Sequence, residues 1–231
     1  MNIFKTIAIA ALLVAPTFSS QQQNHSQFNF KKGEVMDLLL ISFNDNADEL
    51  YNEYRQKALP IAAEMSFKIQ GIKGIDQTVQ GNLQPQSMLI AKWDNLSVRE
   101  RFIDEIDERL PDLHDRRRAI WSYFGLTYFE MPEDVSFAID NTKHTVVTAY
   151  WKEDEAKFGH FVSQFKKKVK KHKGKSLMSA DNGKSPFGYH YQPDYIEITE
   201  WDSAEAFEKF YNENLKMDVE GLSQVHQFVL K

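Results

Sequence analysis

"AKWDN" (residues 91–95) and "TEWDS" (199–203) place two of the chain's four tryptophans before an aspartate, each behind an apolar run. Trp93 and Trp201 are 108 residues apart, and one gapless shift of that size carries other residues onto their like. Phe43 lands on Trp151, Leu50 on Phe158, Tyr54 on Val162 and Ile61 on Val169; Pro85 lands on Pro193, Ile90 on Ile198 and Phe102 on Phe210. Self-similarity at a domain-sized period marks a tandem duplication rather than a solenoid.

Each half reads as βαββαβ. In the first, the apolar run 35–43 is a buried strand. Leu50, Tyr54, Ala58, Ile61 and Met65 form one face of a helix that Pro60 should kink or divide. The glycine-rich stretch 69–86 is a weak strand and hairpin with Gly81 at its turn, and 87–93 is another strand. The helix after it is expected to be capped at Asp94, and the aromatic strand 120–131 follows. The second half repeats this order through strands at 144–151 and 194–201, a helix over 154–172, a helix over 203–215 and a closing strand. It lacks an equivalent of "LPDLHDRRR" (110–118), and Tyr189 stands where the shift would put a second Gly81. The expected fold class is α+β: two tandem ferredoxin-like repeats, 34–131 and 140–231, packed sheet to sheet as an intramolecular α/β barrel.

Residues 1–19 read as a signal peptide: Lys5, then an apolar run from Thr6 to Ala15 too short to span a bilayer. The polar stretch 20–33 reads as a flexible lead-in, and the mature protein as periplasmic or secreted. There is no cysteine, which removes disulfides, thiolate catalysis and cysteine-based zinc sites. Loss of Lys5 with the leader takes the net charge from −5 to −6, a poor match for nucleic acid. No later segment is apolar enough to be a membrane span.

"ELYNEYRQKALPIAAEM" (49–65), "VQGNLQPQSMLIAKWDN" (79–95), "PDLHDRRRAIWSYFGLTYFEM" (111–131) and "FGYHYQPDYIEITEWDSAEAFEKFY" (187–211) together resemble the dimeric α/β-barrel superfamily, and within it an uncharacterised family related to antibiotic-biosynthesis-type monooxygenases. The resemblance implies the barrel fold. For activity it implies a range: cofactor-independent oxygenases, isomerases, haem-binding enzymes and proteins without chemistry. No cofactor follows from the residues themselves; haem stays open, with no histidine marked as an axial ligand.

Candidate site residues come from the second half. Tyr189, His190 and Tyr191 suit a cleft for an apolar or aromatic small molecule, or else pack on the sheet rim. Trp201, like Trp93, either walls a ligand or closes the core at a strand–helix junction. Glu197 sits between Ile196 and Ile198 and faces away from them. If the barrel interior lies on its side, it is a buried carboxylate with a raised pKa, able to transfer a proton with His226 or His144 nearby. No metal motif is present. The lysines from Lys166 to Lys171 either contact an anionic surface weakly or form a solvated helix face, and "RRR" (116–118) is read in the same two ways. The expected partners are a small-molecule ligand and, if the protein is not a monomer, a second copy in a homodimer.

Overall fold

A computed structural model describes residues 25–231. The leader and the first residues of the lead-in lie outside that range. Strands β1 (His25–Phe30) and β6 (Val135–Asp140) form a two-stranded ribbon. The other eight form one sheet: β2 (Val35–Phe43), β3 (Lys68–Gln80), β4 (Ser87–Trp93), β5 (Trp121–Glu130), β7 (His144–Lys152), β8 (Lys175–Asp181), β9 (Tyr195–Trp201) and β10 (Leu222–Leu230).

Their order is β5-β2-β4-β3-β10-β7-β9-β8. Each set of four has the antiparallel order of a ferredoxin-like unit, so the two repeats are joined edge to edge. β3 makes the joint. Its Lys68–Gly74 half pairs with β4 of its own unit, and residues from Ile75 to Gln80 pair with β10 of the other. At the far edges, Tyr128 and Lys184 exchange backbone hydrogen bonds of 2.8 and 3.0 Å, bringing the ends of the sheet together. Met36, Leu38 and Leu40 of the first unit then share one core with Ile196, Ile198 and Phe228 of the second.

Helices α1 (Asp48–Glu64), α2 (Leu96–Arg109) and α3 (Leu113–Ile120) cover the outer face of the first unit; α4 (Glu155–Lys171) and α5 (Ala204–Asn214) cover the second. α3 is the segment that the second unit lacks. Pro60 is accommodated inside a single α1.

The lead-in is a correction to the sequence reading. Its residues from His25 onward are β1, not a flexible segment, because Phe28 and Phe30 are buried and Phe28 stacks on Phe137 of β6 at 5.0 Å. Each such phenylalanine contributes roughly 1.5–3 kcal/mol of transfer free energy. The ribbon closes one end of the barrel, beside the starts of β2 and β7.

The internal repeat is real but not gapless. The shift of 108 holds for β4–α2 against β9–α5, where Trp93 matches Trp201. The caps are Asn95 and Ser203, whose side chains accept from Val98 and Ala206 amides, so Asp94 and Asp202 stand one residue outside the capping position. For β2 against β7 the shift is 109, since Asp37 lies opposite Ala91 and Val146 opposite Thr199. For α1 against α4 it is 107, matching the buried Tyr54, Ala58 and Ala62 to Phe161, Phe165 and Val169. Leu50, expected inside, is therefore exposed.

Candidate functional site

The open end of the barrel, away from the ribbon, carries a cleft of about 560 Å³. The first unit contributes Leu83 from the loop after β3, with Tyr123 and Phe124 from β5; the second contributes Trp151 from β7 and the 188–191 segment. That segment reaches across because Gly125 of β5 has no side chain: a Cβ there would stand 2.9 Å from the Tyr191 Cβ. Tyr189, His190 and Tyr191 thus all line one cleft. Tyr189 is half-buried, His190 is exposed, and Tyr191 is buried with its ring edge-on to Trp151 at 5.3 Å. Burial pushes the Tyr123 phenol up to about 12 and the Tyr191 phenol well above its ordinary value, so both remain protonated at neutral pH.

His226 lies behind this wall, fully buried. Its Nε2 is 3.1 Å from the Leu83 carbonyl, which can only accept, so Nε2 carries the proton. Nδ1 then accepts from the Tyr191 hydroxyl at 3.0 Å. Burial lowers the imidazole's pKa, consistent with this neutral form. His226 therefore clamps the first unit's hairpin to the second unit's loop. Gly81 permits the approach: its φ is +98°, and a Cβ would come within 3.0 Å of the imidazole Cδ2.

Glu197 is fully buried on the other face of the sheet. Ile196 and Ile198 point into the barrel, so Glu197 points under α4, the reverse of the side that the acid–base reading required. It accepts hydrogen bonds from Ser176 and Tyr195, with the Lys166 ammonium 3.8 Å away. Burial raises its pKa; the two hydroxyls and Lys166 offset only part of that. Glu197 and His226 are not brought together, and His144 lies at the far end of β7, its ring 5.2 Å from Phe207.

A carboxyl group with a raised folded-state pKa holds its proton more tightly in the native than in the unfolded chain. Its contribution is fully present below the unfolded value of about 4.5 and is lost as pH rises through the folded value. Glu197→Gln should therefore flatten the fall in stability on the alkaline side of pH 4.5, with the variant and the parent most alike below it. Denaturant midpoints across pH would show this; parallel pH profiles would refute it.

Trp201 is buried beneath α5, 4.7 Å from Phe210, and its indole N–H donates to Thr199 at 3.2 Å. It lines none of the clefts described. Trp93 occupies the matching place against Phe102. The lysine run lies on α4, where Lys171 reaches Glu213 at 2.8 Å and Lys168 approaches it to 4.0 Å. The Lys171 ammonium, hydrogen-bonded to Glu213, and the His172 ring 3.2 Å away hold the Glu213 carboxyl down at about 2. Part of that charge is thus already paired within the chain.

The residue that the structure adds to the site is Arg117, which the sequence presents only within the "RRR" run, as surface contact or solvated face. It is the middle of the three arginines on α3, and it turns inward with Leu113 and Ile120. Its Nε donates to the Tyr54 hydroxyl at 3.2 Å and its Nη1 to the Tyr189 hydroxyl at 3.0 Å. Its guanidinium carbon stands over the Phe124 ring, 4.7 Å from the ring centre. A second cleft, of about 380 Å³, opens onto Arg117 between α3 and Phe187, and shares Ser122, Phe124 and Tyr189 with the first. No helix among the described residues is long and apolar enough to cross a membrane, and no cluster of metal-ligating side chains occurs among them.

No protein-family model matches the sequence, and no curated protein matches it. Solved structures do match the fold. A mutant chlorite dismutase from Candidatus Nitrospira defluvii superposes with a TM-score of 0.51 at 9% identity, over 87% of this chain and 93% of that one. A heme-binding protein from Thermus thermophilus gives 0.41 at 9% identity over 88% and 93%, and an anthrone oxidase-like protein 0.43 at 10% over 88% and 94%. Two βαββαβ units closing one sheet around a shared core, and the superposition on chlorite dismutase, place this chain in the dimeric α/β-barrel, ferredoxin-like fold.

Proposed function

We propose that the protein binds a small apolar or aromatic molecule in the cleft at the open end of the barrel. The observation that carries this reading is the convergence of Tyr123, Phe124, Trp151, Tyr189 and Tyr191, from both units, on one concave surface of about 560 Å³. That volume is in the range of ligand sites, and such walls with a few polar tips hold planar molecules.

The enzyme-like alternative, an oxygenase or isomerase, gets less support from the geometry. Glu197 lies across the sheet from the cleft, and both His226 nitrogens are engaged behind Tyr191. Haem, bound by one of the structural neighbours, does not fit the residues present. The space between sheet and helices in the first unit is about 70 Å³; of the side chains able to ligate haem iron only Tyr51 and Tyr54 line it, and the Tyr54 hydroxyl is held by Arg117. In the second unit that layer is filled by Phe158, Phe161, Phe165, Phe207 and Phe210. His190 is exposed on a loop, and both ring nitrogens of His114, at the smaller cleft, already face Tyr189 and Asp107.

Titration with 1-naphthol, followed through tryptophan fluorescence, tests the cleft because Trp151 lines it. Saturable quenching is expected. Gln224→Trp, at an exposed position on the cleft rim, should weaken binding by about 10-fold or more by filling the space, without unfolding the protein. Equal affinity in parent and variant would place the ligand elsewhere.

A further inference from the structure

We propose that the Arg117 guanidinium anchors a carboxylate, so that the cleft system takes small aromatic acids. This rests on the aromatic-cleft reading above and adds the charge that such a ligand must carry.

The chain buries two arginines in its first unit, and they are treated differently. Arg99 has Asp37 at 2.8 Å. Arg117 has no acidic partner among the described residues: the groups favouring its charge are the phenols of Tyr54 and Tyr189. A guanidinium cannot discharge itself by losing a proton, so a buried one without a counter-ion is a standing cost that an anionic ligand would relieve. Two of the five N–H donors are taken by the phenols. Nη2 makes no hydrogen bond within the described residues, which leaves an edge of the fork for a planar oxyanion.

The surroundings suit an aromatic carboxylate. His114 and Arg118 border the smaller cleft, and no acidic side chain lines it. His114 is 3.3 Å from Asp107, and Arg118 pairs with Asp115; both acids lie outside the cleft lining. The rings of Phe124, Phe187 and Tyr189 lie 4.7, 5.9 and 5.9 Å from the guanidinium carbon and line the same cleft. Phe187 is held at φ +57°, a left-handed conformation that costs a bulky residue energy, with its ring 4.9 Å from that of His114. The second unit has no counterpart of α3, so the pseudo-symmetric barrel carries this arrangement once.

The test uses wild-type protein titrated with benzoate and with benzamide, its neutral isostere, by calorimetry or by chemical-shift changes. Benzoate is expected to bind about 10-fold tighter or better, from charge-assisted hydrogen bonds that benzamide cannot accept equally. Arg117→Met should abolish the preference, while Arg117→Lys keeps part of it. Equal affinity for the two compounds overturns the carboxylate anchor and leaves the aromatic cleft standing. No affinity for either overturns the carboxylate anchor, and the 1-naphthol titration then decides the aromatic cleft by itself. A preference retained in Arg117→Met moves the anchor to another residue, and inorganic phosphate binding as tightly as benzoate overturns the aromatic requirement. Should Arg117→Met fail to fold, Arg117→Lys decides the assignment: a preference as large as the wild type's moves the anchor to another residue.

Discussion

Replacing Asp37 with alanine is expected to cost about 3–5 kcal/mol, the range found when one partner of a buried ion pair is removed. Asp37 and Arg99 are 3% and 1% exposed, and Asp37 accepts from the guanidinium Nε at 2.8 Å. Arg99 also lies over the rings of Trp93 and Tyr128, at 5.0 and 4.9 Å, and its Nη1 already lacks a partner. Without the carboxylate, a full charge is stranded between α2 and the sheet. The second unit shows what the same place accepts instead. Val146 occupies the position of Asp37 and Phe207 that of Arg99, both buried in an apolar layer. The double substitution D37V/R99F should therefore restore most of the stability lost in D37A, because apolar replacement of a buried pair is often neutral or better. Urea midpoints at constant slope measure both; a D37A loss below about 1 kcal/mol would show that the pair is dispensable.

Trp201→Ala should be comparably damaging, about 3–5 kcal/mol, from lost transfer free energy and the cavity left behind. The indole is packed on three sides. Phe210 and Phe207 lie at 4.7 and 5.8 Å, and the backbone at Gly174 passes so close that a Cβ there would stand 2.5 Å from the ring. The expected signature separates packing from ligand contact. The variant's denaturation midpoint falls steeply, while the affinity of its folded fraction for 1-naphthol stays at the parent value. Lost affinity with unchanged stability would return Trp201 to the role of a ligand wall.

The repeat was legible because large aromatics sit at strand–helix junctions, where Trp93 and Trp201 close matching layers. The register of the first strands was not. β2 buries Met36, Leu38 and Leu40 on one face and Val35, Leu39 and Ile41 on the other or partly so. A strand covered on both faces shows no alternation, so a slip of one residue leaves no mark in the apolar pattern. Glu197 suffered from the same ambiguity: its flanking isoleucines announced burial but not which side faced the helices. β1 did alternate, through Phe28 and Phe30, yet its partner β6 lies beyond the whole first unit, and a lone two-phenylalanine segment reads as coil. Arg117 was obscured by its neighbours, since three consecutive arginines resemble a wetted surface. The spacing Leu113, Arg117, Ile120 is one helical face, and that periodicity is the signal that singles out the middle residue.

β3 has a consequence for how the polypeptide can be divided. Because the strand spends its first half on kin and its second half on β10, severing the exposed turn at Thr142 would produce two pieces with complementary raw borders. The amino-terminal piece would present the Ile75–Gln80 ladder unmatched, and the carboxy-terminal piece the outer side of β10. Open borders of this sort seek any available strand. Solubility of either fragment is thus conditional on its complement, and co-production, not isolation, is the route by which such halves would persist in solution.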